Sequence, residues 1–138
     1  MKYRKEKGCY LAVLDKGDEL TRALAELVET EGIQGGVVRG LGGVTNVTLG
    51  FFDTQKKEYL RKEFGGFYEL ANLVGDVSMV DGKPFCHLHA VISDSDMRAF
   101  AGHLFAAEIS VTGEIIVTPG EKAQRRFNGE IGLNLLDL

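Results

Sequence analysis

One stretch alone carries a helical period, and that limits the whole fold. Leu20, Ala23, Leu24, Leu27 and Val28 recur at three- and four-residue spacing and line one side of a helix ending near Thr30. Arg22, Glu26 and Glu29 fall on the wet side. Asp18 is placed as the N-cap, Glu19 suits the positive end of the helix dipole, and Gly32 suits the residue just past the helix end. The rest of the chain reads as eight or so strand-like runs joined mostly by short turns. Short links between neighbouring strands imply antiparallel pairing. The expected class is α/β of the α+β type, a mainly antiparallel sheet packed against one principal helix. One helix cannot cover both faces of such a sheet. The apolar surface left over must close on itself or meet another chain.

Glycine sets the punctuation. The chain holds 18 glycines against 2 prolines, and GIQGGVVRGLGGV places six of them in thirteen residues. No G-K-[ST] follows, and the run leads into valine, threonine and aromatics, so neither phosphate-loop pattern is present. Gly42 and Gly43 are read as a break between two strands, GGVVRGLG and NVTLGFFD, and Gly113 as a second break in HLFAAEISVTGEIIVTP. Cys9 to Leu14 reads as a central strand covered on both faces. Arg39 is read as reaching the surface at an edge, with anion binding as the alternative. Asp81-Gly82 is the favoured pair for a two-residue hairpin turn. The opening MKYRKEK reads as a solvated terminus, and FNGEIGLNLL as a last short strand or a packed extended end.

All three histidines lie between Pro84 and His103. His87 and His89 are two apart in an apolar run, so on a strand both rings leave one face, while Cys86, Leu88, Ala90 and Ile92 line the other. A polar turn, SDSD, lets the chain return and bring His103 beside them. Neutral imidazole is a borderline ligand, suited to Zn²⁺, Ni²⁺, Co²⁺ or Fe²⁺. Three such rings leave a position for water, a carboxylate or a substrate. The alternative is that His87 and His89 are strand histidines satisfied by nearby carboxylates and His103 faces water. Cys86 and His87 point to opposite faces and form no catalytic pair, and no serine–histidine–acid arrangement is assigned.

With 138 residues, 44% of them hydrophobic, the chain has the size of one domain, 1–138, with a core over about 7–136. Its net charge of −4 does not favour nonspecific duplex binding. Two cysteines, Cys9 and Cys86, fall in apolar runs and read as free thiols in a reducing compartment. With no signal-peptide pattern and no stretch long enough to cross a bilayer, the expected location is cytoplasmic and no membrane partner is expected.

Three segments, GGVVRGLGGVTNVTLGFFD, GGFYELANLVGDVSMVDGKPFCHLHAVISD and GHLFAAEISVTGEIIV, with the tail RRFNGEIGLNLL, resemble the PPC family, the domain conserved in plants and prokaryotes. The resemblance runs from about Lys7 to Leu136 in family order. It implies a trimer-forming fold and so a homotrimer. It places the family's metal ligands, in those prokaryotic members that have them, at His87, His89 and His103, with zinc or another divalent transition metal as the ion. Here AGH stands where the family has GGH, and Phe67 stands where the family has an arginine. Plant relatives carry AT-hooks for the DNA minor groove; this chain has no R-G-R-P core.

Three functions follow as expectations. The first is a trimeric metal-binding domain with a three-histidine site. The second is a DNA-binding or transcription-associated assembly protein. The third is a metal-assisted hydrolase or lyase acting on an unknown small molecule, with Glu69, Asp94 or Glu108 as candidate bases.

Overall fold

The helical stripe folds as α1, Leu20–Thr30, in a computed structural model that describes residues 1–137. Leu20, Leu24, Leu27 and Val28 are buried to within 1%. Burying each such side chain contributes roughly 1.5–3 kcal/mol before the cost of ordering it. The cap differs from the expected one. Glu19, not Asp18, accepts from the backbone N–H groups of Thr21 (3.2 Å) and Arg22 (2.7 Å), and it also takes the N–H of Ala107 at 3.1 Å. Asp18 is drawn away by the amino terminus of Met1, 2.8 Å from its carboxylate. Gly32 follows the helix at φ +63°, the left-handed conformation that glycine adopts without strain.

Among the described residues nine strands accompany the helix: β1 Lys2–Glu6, β2 Cys9–Asp15, β3 Gly36–Asp53, β4 Glu58–Phe64, β5 Tyr68–Val80, β6 Lys83–Ser93, β7 Ala99–Pro119, β8 Gln124–Asn128 and β9 Leu133–Asp137. The pairing is antiparallel except for one parallel contact, Met79 with Gln124. The expected α+β class is what the chain forms. β3 pairs with β5, β5 with β6, β6 with β7, and β7 with β3 again, so these four strands close a circuit. The sheet thus covers much of its own apolar surface.

Several strands run differently from their expected limits. The basic N-terminus is solvated as read, yet it is also an edge strand, β1, paired to β2 over five residues. β2 is covered on one side only: Tyr10, Ala12 and Leu14 are buried, while Val13 is 40% exposed. β3 runs straight through Gly42 and Gly43, and β7 straight through Gly113. A Cβ at Gly42 would sit 2.2 Å from the carbonyl oxygen of Thr112, and one at Gly113 would sit 2.8 Å from Ile109. Gly42 permits the close approach of β3 to β7, Gly113 leaves room for the Ile109 side chain of its own strand, and neither ends its strand. Register shifts on β3 and a positive φ at Asn46 (49°) mark where it bends. The tail forms a hairpin, β8–β9. Arg39 is exposed but not at an edge, since it pairs with Val74 on one side and Ile116 on the other.

The side chains sort into two faces. Inside lie Leu14, Val38, Leu73, Leu88, Ile92, Ile115 and their neighbours around the buried stripe of α1. Outside, one hydrogen-bonded row runs Ile116, Arg39, Val74, His89, His103 across β7, β3, β5, β6 and the far half of β7. Val37, Leu41, Val74 and Ile116 on this face are each more than 40% exposed. The histidines therefore stand on the outer surface of a rigid sheet. Among the described residues no helix is long and apolar enough to cross a membrane.

Candidate metal centre

Backbone pairing alone brings the three rings together. The type I′-like turn at Asp81 (φ 49°) and Gly82 (φ 79°) joins β5 to β6 and fixes their register, with Val80 opposite Lys83. Four steps along each strand, Asp76 faces His87, and two further residues on, Val74 faces His89. The turn at 94–98 then sends the chain back as β7. There His103 is the direct partner of His89. Alternation places His87 on the same face as His89, and the ring centroids lie 5.2 Å (His87–His89), 5.2 Å (His87–His103) and 5.5 Å (His89–His103) apart.

One nitrogen from each ring falls within 4.8 Å of the other two. Four ligands at zinc–nitrogen distance sit about 3.3 Å apart, so small ring rotations bring these donors onto one ion. Two further observations fit a cation. The Nδ1 of His103 is buried and has no hydrogen-bond partner, which is costly for a polar atom with nothing to bind. The imidazoles of His103 and His89 are held neutral. Burial pushes His103 down to about 4, helped by the nearby His87, His89, Arg61 and Arg125. Burial, then His87, also lowers His89. Neutral imidazole keeps the lone pair a metal needs.

The rings are fixed from behind. His103 lies between Tyr59 (centroids 4.9 Å) and Phe105 (4.7 Å). Gly50, its neighbour on β3, makes room: a Cβ there would lie 2.4 Å from the Phe105 ring and 3.0 Å from Tyr59. Arg61 covers the far side of Phe105 at 3.8 Å.

Three groups beside His87 escaped the sequence reading. Asp76 Oδ2 lies 3.5 Å from His87 Nδ1. Arg125, from β8, donates through Nη2 to both Asp76 oxygens (3.0 and 2.8 Å) and through Nε to Ser78 Oγ (2.8 Å). Burial alone would raise the Asp76 carboxyl, but the His87 ring, then Arg125 and Ser78, hold it down at about 2. The hairpin register was the signal that finds Asp76. No pattern in the sequence points to Arg125.

The candidate bases lie elsewhere. Glu69 and Asp94 line a separate shallow pocket with Phe67 and Met97, and Asp94 is tied to Arg98 at 2.8 Å. Glu108 accepts from Asn46 at 3.1 Å. The carboxylate beside the imidazoles is Asp76. Cys9 and Cys86 both carry free thiols, and burial pushes Cys86 up to about 11, so it stays protonated on the inner side of β6. A cavity of about 490 Å³ opens beside His87 and His103, walled by Phe85, Leu104, Phe105 and the β9 residues Leu133 and Leu135.

The family model of the Plants and Prokaryotes Conserved domain matches residues 1–121. The chain belongs to that family. Solved structures of similar proteins share the family fold over nearly their whole length. A candidate DNA-binding protein of Bacteroides thetaiotaomicron is 33% identical, with 99% of this chain and 96% of that one covered and a TM-score of 0.95. A plant- and prokaryote-conserved protein of Pyrococcus horikoshii is 32% identical, covering 99% and 95%, with a TM-score of 0.88. A metal-containing protein of Archaeoglobus fulgidus is 37% identical, covering 97% and 95%, with a TM-score of 0.86. A search of the curated proteins finds no match. The PPC resemblance read from the sequence motifs is thus the family of the chain. The family model stops at residue 121, short of the β8–β9 hairpin that carries Arg125.

Proposed function

We propose that this PPC-family protein binds a divalent transition metal through His87, His89 and His103, with zinc the first choice for three neutral imidazoles. The observation that carries the reading is the convergence of the three rings around a buried, unpartnered Nδ1 of His103. The metal-containing relative from Archaeoglobus fulgidus supports it. The exposed apolar row beside the site supports self-association, a homotrimer by the family resemblance. Metal analysis after purification without chelators tests the site. Wild type should carry near-stoichiometric metal and a His87→Ala/His89→Ala variant almost none; equal content in both would end the reading.

A second reading rests on the cavity. Three protein ligands leave a position open, and the cavity of about 490 Å³ lined by His87 and His103 gives a small molecule room beside it. This supports metal-assisted hydrolysis or elimination on a substrate with an apolar portion. Zinc-dependent turnover across a panel of small esters, amides and hydroxy acids tests it. No turnover by a fully loaded protein on any member of the panel counts against it.

A further inference from the structure

β6 and β7 separate beside the imidazoles. Their ladder runs from Ser93 opposite Ala99 to His89 opposite His103 and stops there. Had it continued, Leu88 would face Leu104 and His87 would face Phe105. β7 is turned away instead. Its register against β3 slips between Thr48–Ala106 and Leu49–Leu104, which leaves Phe105 as an extra residue and bends the strand. Beyond that bulge β7 is drawn to the start of α1. Ala107 N–H donates to Glu19 Oε1 (3.1 Å), and Ile109 N–H donates to the carbonyl of Asp18 (2.9 Å). The two strands therefore form a fork with His89 and His103 at its closed end.

The cavity of about 490 Å³ is the opening of this fork. Phe85, Cys86 and His87 line it from one prong, Leu104 and Phe105 from the other, and Ala25 of α1 reaches it from the helix. Among the described residues, Lys83–Leu88 pairs with β5 on one side and with no strand on the other. Proline is tolerated in a strand at such an edge, and Pro84 sits on this one. A free edge is a row of backbone donors and acceptors, and another extended backbone is what satisfies it. The β7 prong is satisfied in part by Glu19, so the open template is β6. Side chains of an added strand alternate, so every second one enters the cavity, where Leu133 and Leu135 of β9 complete an apolar wall. Apart from the imidazoles, Arg125 is the one charged group lining the cavity among the described residues, and Asp76 neutralises it at 2.8 Å. That favours an uncharged ligand over an anion.

We propose that the fork binds a short extended peptide with apolar side chains, laid as a strand against Pro84–Leu88 of β6. Such a peptide carries an amide carbonyl to the closed end, beside His87 and His103. The inference deepens the second reading of the cavity above by naming its substrate class as a peptide amide, and it rests on that reading for any link to a metal. Peptide binding itself requires none.

Nitrogen-15 NMR of the backbone amides, titrated with acetyl-Ala-Leu-Ala-Leu-amide, tests it. Shifts should centre on Phe85–Leu88. The same peptide N-methylated at every residue keeps its side chains and loses its backbone donors, and it should bind about tenfold more weakly or worse. Ala25 is exposed on α1, so Ala25→Phe fills the cavity without entering the core. It should weaken binding about tenfold or more, and its own spectrum shows that it is folded. No shifts at millimolar peptide would overturn the inference. So would equal affinity for the N-methylated peptide, which makes the cavity a side-chain pocket only, or unchanged binding by Ala25→Phe. If Ala25→Phe instead breaks a wild-type oligomer into monomers, a second copy fills the fork and the inference falls. Metal analysis of the same wild-type sample separates the two readings. Peptide bound without metal keeps the fork and ends the metal reading; metal held without peptide does the reverse.

Discussion

His89 and His103 are direct partners across β6 and β7, one imidazole on each of two hydrogen-bonded strands. Their separation is therefore set by the sheet and not by loop conformation, which is the kind of support a metal site needs. His103 is also wedged between Tyr59 and Phe105, where a phenyl ring fits. We expect His103→Phe to leave metal-free stability unchanged or raise it by up to about 1 kcal/mol, because it removes a buried polar atom that has no partner. Added Zn²⁺ should raise the Tm of wild type and leave that of the variant still, since only a ligand of the folded state stabilises it. Thermal melts with and without Zn²⁺ read both effects.

Gly75 lies where β5 passes β6 most tightly. A Cβ there would come within 2.0 Å of the carbonyl oxygen of His87 and 2.9 Å of Leu88. The backbone must move, so Gly75→Ala should destabilise by about 1–3 kcal/mol or more in urea unfolding. It should also disturb His87. Gly65→Ala meets nothing within 4 Å and serves as the control. It should stay within about 0.5 kcal/mol of wild type.

The amino terminus supplies a pH signature. The hydrogen bond that the Met1 amine donates to Asp18 raises the amine above its ordinary 8.0, and the same bond lowers Asp18 below its ordinary 3.8. The depressed Asp18 contributes stability above the ordinary carboxylate range, and that share is lost as pH falls through its folded value. The raised amine contributes below pH 8.0, and its share is lost as pH rises through its own folded value. The pair therefore helps most between those limits. Asp18→Asn should flatten the pH–Tm curve at both ends. An unchanged curve would mean that the bond is not kept in solution.

Self-association should use the outer row. Val74 is 44% exposed beside His89. Val74→Glu places a charge in that face, and light scattering should report a smaller species than wild type. If both proteins are monomers, that face has no role in assembly.

Duplex DNA can be tested directly, since two similar solved structures are described as candidate DNA-binding proteins. The chain's net charge is −4, and Arg61 and Lys62 lie over aromatic rings. We expect no complex at about 50 mM salt, where phosphate contacts are strongest. A complex that weakens steeply with added salt would favour the DNA reading.

The sequence carried the helix stripe, the hairpin at Asp81-Gly82 and the shared face of His87 and His89, because each depends on local periodicity or turn chemistry. It also held more than was taken from it, since the same hairpin register puts Asp76 against His87. What stayed hidden depends on distant partners. Asp18 lost the cap to Glu19 because the Met1 amine binds it. Gly42 looks like a strand break until the neighbouring strand, close enough to exclude a Cβ, is known, and Gly113 until the Ile109 side chain beside it is placed. Arg125 reads as a surface cation in a tail until Asp76 and Ser78 are found beneath it.

The closed circuit of β3, β5, β6 and β7 decides where a foreign strand can join. His89 and His103 lie where β6 and β7 each have neighbours on both sides, whereas β1, β4 and β9 each pair with one strand among the described residues. β1 presents Lys2, Arg4 and Lys5 to solvent, a row that repels a like copy. Outside the fork, recruitment by strand addition is thereby directed to those margins, and growth on β1 is the kind that adds a strand away from the imidazoles, since β4 carries Tyr59 and β9 walls the cavity beside them.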